Sequence, residues 1–245
     1  MTNNIETDQY QSRGFTLVEL LLAMTGVAVL LVAVAATTIQ LMNIYHKGMT
    51  IKTINAAGRE VGDMIKRDGL SAKGRDIAHV APSDNGTGGL GRLCFGSYSY
   101  VWNTPENLRS QDIGAGVSYS NDPSRSKIVL ARVADPDGNL CKAVRGQFPT
   151  VISKSAPMNA AEILGGKNAG LAVHDVSLTD LFVDSNSRAG YAIGYTLGTY
   201  EEGTYQNGVI NSSDAQCLAQ SEETNNYTFC AINQFAETII TERAS

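Results

Sequence analysis

Residues 20–45 run for 26 positions without an Asp, Glu, Lys, Arg or His. Few structures accept such a run. As a helix rising about 1.5 Å per residue, it is long enough to cross the ~30 Å hydrocarbon core of a bilayer. The wider segment 15–41 reads FTLVELLLAMTGVAVLLVAVAATTIQL. A cleaved secretory signal fits it poorly. Such signals join a basic first region to an apolar core of about 7–15 residues. Here the residues before Phe15 are polar and include Glu6, Asp8 and Arg13. The apolar run is also too long, and no A-x-A site followed by a loop ends it; the pattern runs on as helix.

The average composition hides this segment. With 43% hydrophobic and 18% charged residues among 245, the chain counts as an ordinary soluble protein of one or two domains. Those averages exclude a collagen, a low-complexity disordered chain and a polytopic membrane protein. Charge is uneven. Residues 1–68 hold six acidic and six basic side chains, so the whole net charge of −5 falls on residues 69–245, with 18 acidic and 13 basic. An acidic outer domain repels phosphate backbones, so direct nucleic-acid binding is not expected.

Glu19 is the anomaly of the apolar segment. A carboxylate at mid-bilayer costs about 2.5–3.5 kcal/mol on insertion scales. Its place near the segment's start relieves part of that cost, and a negative charge suits a helix N-terminus. Otherwise it calls for a cationic partner within the membrane. The residues around it are Arg13, then Gly14-Phe-Thr-Leu-Val-Glu19. A short polar leader ending in Gly, a following Phe, and a Glu five positions into an apolar stretch resemble the processing site of type IV prepilins. The resemblance is specific over about residues 13–45 and only architectural beyond. It implies that a membrane prepilin peptidase cuts between Gly14 and Phe15, and that the same enzyme methylates the new amine of Phe15. It also implies that Glu19 pairs with the N-terminal amine of a neighbouring subunit. One departure is clear. Many major pilins carry a helix-kinking proline at the twenty-second mature position, where this chain has Ala36, and no proline occurs between Phe15 and Val80.

Beyond residue 41 the helix is expected to continue as an amphipathic segment over 42–68. Ile44, Ile51, Ile54, Val61 and Ile65 follow a seven-residue rhythm, and Lys47, Lys52, Arg59, Lys66 and Arg67 supply the polar face. Gly48, Gly58 and Gly62 each cost about 1 kcal/mol relative to Ala, unless they admit close packing. Asp68-Gly69 is the expected stop. Residues 15–68 would then form about 80 Å of helix.

Residues 69–245 read as one β-rich head domain. Residues 92–101, 127–134 and 190–197 are the clearest strands, and 171–182 is a further strand-like stretch. Asp135-Pro-Asp-Gly-Asn139 reads as a hairpin turn, 160–164 as a short helix, and 83–91 as a Gly-rich loop. The fold class is therefore α+β: a type IV pilin-like long N-terminal helix on an antiparallel sheet. The domains are a leader (1–14), the helix (15–68, with 15–41 as membrane span or filament core) and the head (69–245). The four cysteines lack CxxC spacing, which favours disulfides in an exported domain over a zinc site. Cys217 with Cys230 closes a short loop near the C-terminus, leaving Cys94 with Cys141. The polar segment 216–231 resembles the disulfide-bounded C-terminal region of pilins.

Catalytic motifs are thin. His174-Asp175 lacks an accompanying GxSxG element. Asp135, Asp137 and Asn139 lack the alternating ligands and closing Glu of a calcium loop. The run Gly86-Thr-Gly-Gly-Leu-Gly91 follows no strand and lacks the Lys-Ser/Thr of a phosphate loop. Asn85, Asn211 and Asn226 head N-x-S/T triplets, common by chance in such a chain. Tyr98, Tyr100, Trp102 and Tyr119 suit sheet packing better than an adhesive patch. The expectation is a filament subunit rather than an enzyme, with no cofactor or metal. Within that family the large head and Ala36 favour a minor pilin, ahead of a type II secretion pseudopilin or a major or DNA-uptake pilin. Its partners would be prepilin peptidase, other pilin subunits and an inner-membrane assembly platform. It would reside in the cytoplasmic membrane as a single-pass precursor and then in a cell-surface filament. The rival from another class is an uncleaved, single-pass membrane-anchored binding protein.

Overall fold

The computed structural model describes residues 15–72, 77–110, 116–120, 122, 126–165, 170–183, 188–200 and 230–242. It divides into two compact units, Met1–Tyr45 and His46–Ser245. A single helix, α1 (Leu17–Ser71), enters both. In the first unit every described residue from 15 to 42 is exposed. This part of α1 is long and apolar enough to cross a membrane.

In the second unit α1 buries Ile54, Ala57, Gly58, Val61, Gly62, Ile65, Asp68 and Gly69. That spacing of three and four is one face of a helix. The rhythm expected from sequence holds from Ile54 onward. Ile44 and Ile51, placed on the same stripe, are exposed. The helix also runs past the expected stop. Ser71 Oγ bonds the Asp68 carbonyl at 2.7 Å, and the Ala72 amide bonds the Gly69 carbonyl at 3.1 Å, which closes the last turn. Gly69 lies inside the helix, and Ile239 leaves no room there for a side chain: an added Cβ would lie 2.2 Å from its side chain.

The strands that follow are β1 (Ile77–Val80), β2 (Leu90–Phe95) and β3 (Tyr98–Asn103). After the short helix α2 (Pro105–Arg109) come β4 (Tyr119–Ser120), β5 (Leu130–Ala134) and a 3-10 turn at Asn139–Cys141. Next are β6 (Ile152–Ser153) and β7 (Ala161–Glu162). The long strands β8 (Leu171–Val183), β9 (Arg188–Thr199) and β10 (Ile232–Glu242) complete the described elements. One sheet has the order β1-β2-β3-β5-β7, another β10-β9-β8, and β4 pairs with β6. The first two sheets are antiparallel throughout, and β4–β6 is parallel. The chain is thus α+β, a long N-terminal helix followed by antiparallel sheets.

Side-chain alternation sorts the five-stranded sheet into two faces. Leu93, Phe95, Tyr100, Trp102 and Leu130 join the cluster that contains Ile54, Val61 and Ile65 of α1. Leu90, Cys94, Val101, Ala131 and Val133 face the other way, into a cluster with Tyr119, Ile128, Leu140 and Ile152. The sheet is therefore a middle layer between α1 and a layer of loops.

The three-stranded sheet lays one face on the glycines of α1. Added Cβ atoms would meet the Phe235 ring at Gly58 (2.2 Å), the Tyr195 hydroxyl at Gly62 (2.6 Å) and Ile239 at Gly69. The Tyr195 hydroxyl donates to the Gly58 carbonyl at 2.9 Å. Gly48 has nothing within 4 Å, so close packing accounts for Gly58 and Gly62 but not for it.

Three further sequence expectations, all in the head, change. Residues 92–101 are two strands, not one, because Gly96 turns the chain at φ 81°. Residues 160–164 are not a helix: the Ala161–Glu162 strand pairs with β5, and Glu162 accepts the amides of Val129 and Leu130 at 3.0 and 2.8 Å. Asp135–Asn139 leads into the 3-10 turn rather than joining two strands.

Candidate functional site

The sequence singled out the start of α1. Gly14 lies outside the described residues. Phe15 is 84% exposed. Glu19 sits in the first turn and is engaged locally. Its Oε2 accepts the Thr16 amide at 3.2 Å and the Thr16 hydroxyl at 3.1 Å. In return, the Glu19 amide donates to Thr16 Oγ1 at 3.3 Å. Thr16-Leu-Val-Glu19 is thus a reciprocal capping box, which satisfies helix N-terminal amides that have no intrahelical acceptor. That T-x-x-E spacing was readable in the sequence, and it gives Glu19 a local partner before any neighbouring subunit is invoked.

In the head domain Cys94 of β2 and Cys141 form a disulfide. Asp135 sets up this bond. Its carboxylate accepts the Asn139 and Leu140 amides at 2.8 and 2.9 Å and the Ser99 hydroxyl at 2.8 Å. The 3-10 turn held in this way ends at Cys141. Those contacts consume the carboxylate that a calcium reading would have needed. The expected Cys217–Cys230 pair involves Cys217, outside the described residues; Cys230 is not a free thiol.

His174 sits at a β-bulge, where the register slips between Val173 and Asp175. Its Nε2 lies 3.0 Å from the Thr199 carbonyl, and burial pushes its pKa down to about 4. A neutral histidine spent on a backbone carbonyl is a brace. Asp175 sits across the bulge. Burial raises its pKa against the opposing pull of His79.

Two other polar groups hold loops to the sheet. Asn103 bonds both the amide and the carbonyl of Val117, and the Ile128 carbonyl as well. Arg92 is fully buried and, among the described residues, pairs with no carboxylate. Its guanidinium donates to the carbonyls of Leu90, Thr87 and Pro149 at 2.5, 3.1 and 2.8 Å. Burial lowers its pKa to about 10.

Of the four aromatic residues noted in the sequence, Tyr100, Trp102 and Tyr119 are buried and Tyr98 is partly so. Trp102 stacks on His79 and lies over Gly91, where a Cβ would come within 2.3 Å of its ring. These rings pack the sheet. Among the described residues no group of three or more His, Cys, Asp or Glu side chains is placed to hold a metal ion. The chain matches no protein-family profile, and no curated protein or solved structure is significantly similar to it.

Proposed function

We propose that the chain is a type IV pilin-like filament subunit, cut between Gly14 and Phe15 and assembled through α1. The observation that carries this reading is the sequence Arg13-Gly-Phe-Thr-Leu-Val-Glu19 at the head of an apolar, wholly exposed helical segment. Such a helix must find cover in lipid or in other helices. Cleavage would create an amine at Phe15, and a like amine on a neighbouring subunit is the cation that Glu19 requires in an apolar bundle. Helix burial then drives assembly, and the Glu19–amine pair sets the register. Within the family we favour a minor pilin over a type II secretion pseudopilin, on the large head and on Ala36.

Mass spectrometry of the mature N-terminus tests the proposal. An N-methylated Phe15 is the expected result; an intact Met1, or a cut beyond residue 36, overturns it.

The second reading is an uncleaved, membrane-anchored binding protein. The capping box favours it, because Thr16 satisfies Glu19 without any partner subunit.

A further inference from the structure

β10 is an unguarded edge strand. It pairs with β9 without a register break, from Ile232 opposite Gly198 to Glu242 opposite Arg188. Among the described residues no strand pairs with its other side. The opposite edge of the same sheet, β8, is broken by two register shifts, between Val173 and Asp175 and between Asp180 and Phe182. Bulges, prolines and lysines blunt an edge against strand addition, and β10 (INQFAETIITE) has none of them.

The Thr199 amide bonds the Ala231 carbonyl at 3.0 Å, which fixes the phase of the ladder. Odd residues of β10 therefore bond β9, and residues 232, 234, 236, 238 and 240 turn their N–H and C=O groups to the free edge. The Gln234 amide is met by Asn233 Oδ1 at 2.9 Å. Beyond it Ala236, Thr238 and Ile240, all exposed, give three successive bonding positions.

α1 flanks this edge with cations. Asn233 Nδ2 donates to Asn55 Oδ1 at 2.7 Å, and Lys66 lies 4.0 Å from Glu237, so the helix stripe that carries Asn55 and Lys66 borders β10. Lys52 and Arg59 fall on that stripe by three-and-four spacing, and both are exposed. At the start of β10 a cleft of about 370 Å³ opens between α1 and the strand, with Lys47, Ile51 and Ile54 on one side and Ala231 and Ile232 on the other. Lys47, Lys52, Arg59 and Lys66 thus border the edge, against the carboxylates of Asp63 and Glu237. The excess is positive, on a chain whose net charge is −5.

We infer that the free edge of β10 binds an extended acidic segment of another protein, which adds a strand to the β10-β9-β8 sheet. Main-chain hydrogen bonds hold such a strand, and its alternate side chains give specificity. Those on the α1 side meet Lys52, Arg59 and Lys66, which selects carboxylates at every second position. The cleft beside Ile51 and Ile54 leaves room for the end of the added strand. A second copy of this chain fits less well. Its β10 brings the same cations to the seam, and its β8 is bulged. One foreign strand fills the edge and the contact goes no further, so the inference is compatible with a minor subunit and equally with an uncleaved anchored protein.

The test is equilibrium binding to the full chain in neutral detergent, read by fluorescence anisotropy. The probe is a labelled decapeptide of alternating Glu and Val. Its control has the same composition with all Glu in one block and all Val in the other, so charge is kept and alternation is lost. The alternating peptide should bind saturably, about tenfold or more tightly than the control, and should slow amide exchange at Ala236, Thr238 and Ile240. Thr238→Pro removes an outward N–H without breaking the ladder to β9, and should weaken binding about tenfold at an unchanged melting temperature. Lys52→Glu combined with Arg59→Glu should weaken it as much through charge alone, with β10 untouched. Equal binding of the two peptides, or an affinity indifferent to these substitutions, overturns the inference. Slow exchange at the three amides before any peptide is added also overturns it, because the edge is then filled by this chain itself.

Discussion

Asp68 and Arg132 meet in a two-point contact that locks the end of α1 to β5. Arg132 Nε donates to Asp68 Oδ2 at 2.6 Å and Nη2 donates to Oδ1 at 2.9 Å. The Tyr100 hydroxyl adds a third donor at 2.7 Å, and the guanidinium lies 3.3 Å from the Tyr98 ring centroid. Asp68 is almost entirely buried, with 4% of its side chain exposed. Removing Arg132 would strand a buried carboxylate, which costs about 3–5 kcal/mol. Arg132→Ala should therefore destabilise the head by that order in urea unfolding of the detergent-solubilised chain. Arg132→Lys should recover only part of it, because a single ammonium cannot reproduce the fork. Equal stability of all three chains would refute this account of the contact.

Acid should weaken the same domain in two steps. Burial tends to raise the pKa of Asp68, but the hydrogen bonds from Arg132 and Tyr100 and the charges of Arg132 and Arg67 outweigh it, so the net shift is downward. Its stabilisation is present above the ordinary carboxylate range and fades as pH falls below it. His174 acts at higher pH. Its folded pKa of about 4 lies below the unfolded value of 6.5, so stability falls as pH drops from 6.5 towards 4, by roughly 1.4 kcal/mol per pH unit. Glu162 and Asp175 oppose the trend, since burial raises both pKa values. Comparison with His174→Gln isolates the histidine. The stability advantage of the natural chain should shrink between pH 6.5 and 4, and a constant difference would show that His174 does not titrate this way.

Glycines on α1 should respond to alanine with opposite signs. Gly48→Ala meets nothing within 4 Å and should stabilise the helix by about 1 kcal/mol. Gly58→Ala drives a methyl into the Phe235 ring, whose three nearest atoms would lie 2.2–2.6 Å away. Overpacking of that kind costs about 1–3 kcal/mol, against the same gain in propensity. Thermal unfolding should rank Gly48→Ala above the natural chain and Gly58→Ala below it. The reverse order would mean that β10 does not rest on the helix.

What the sequence disclosed follows from where single residues dominate. The apolar run and the three-and-four spacing after Ile54 are local patterns, and both helix halves were legible from them. β8 and β9 announced themselves through alternation. β10 did not, because its α1-facing row is Phe235, Glu237, Ile239, and a glutamate in the middle breaks the period. The charge on Glu237 is accommodated beside Gly62, a contact made across more than a hundred residues of chain. Arg92 and Asn103 carried no sequence signal. Each is a buried polar side chain held by loop backbone groups, and only the fold brings those loops together. The capping box at Thr16 was legible from its T-x-x-E spacing, but the same Glu19 in an apolar run reads equally as a charge in need of a cation.

The two roles of Glu19 can be separated by substitution. As a cap, its carboxylate works only with Thr16, and losing either residue should fray the first turn by about 1 kcal/mol. As an assembly group, it works with an amine on another subunit, and Thr16 is dispensable. Amide exchange in the first turn of the detergent-solubilised chain should therefore speed up similarly in Thr16→Ala and Glu19→Ala. Filament incorporation in cells should split them, with Glu19→Ala excluded and Thr16→Ala retained. If both are incorporated like the natural chain, the carboxylate is a helix cap and nothing more. If both are excluded alike, the ordered first turn rather than the charge is what assembly requires, and the pairing of Glu19 with a neighbouring amine is wrong.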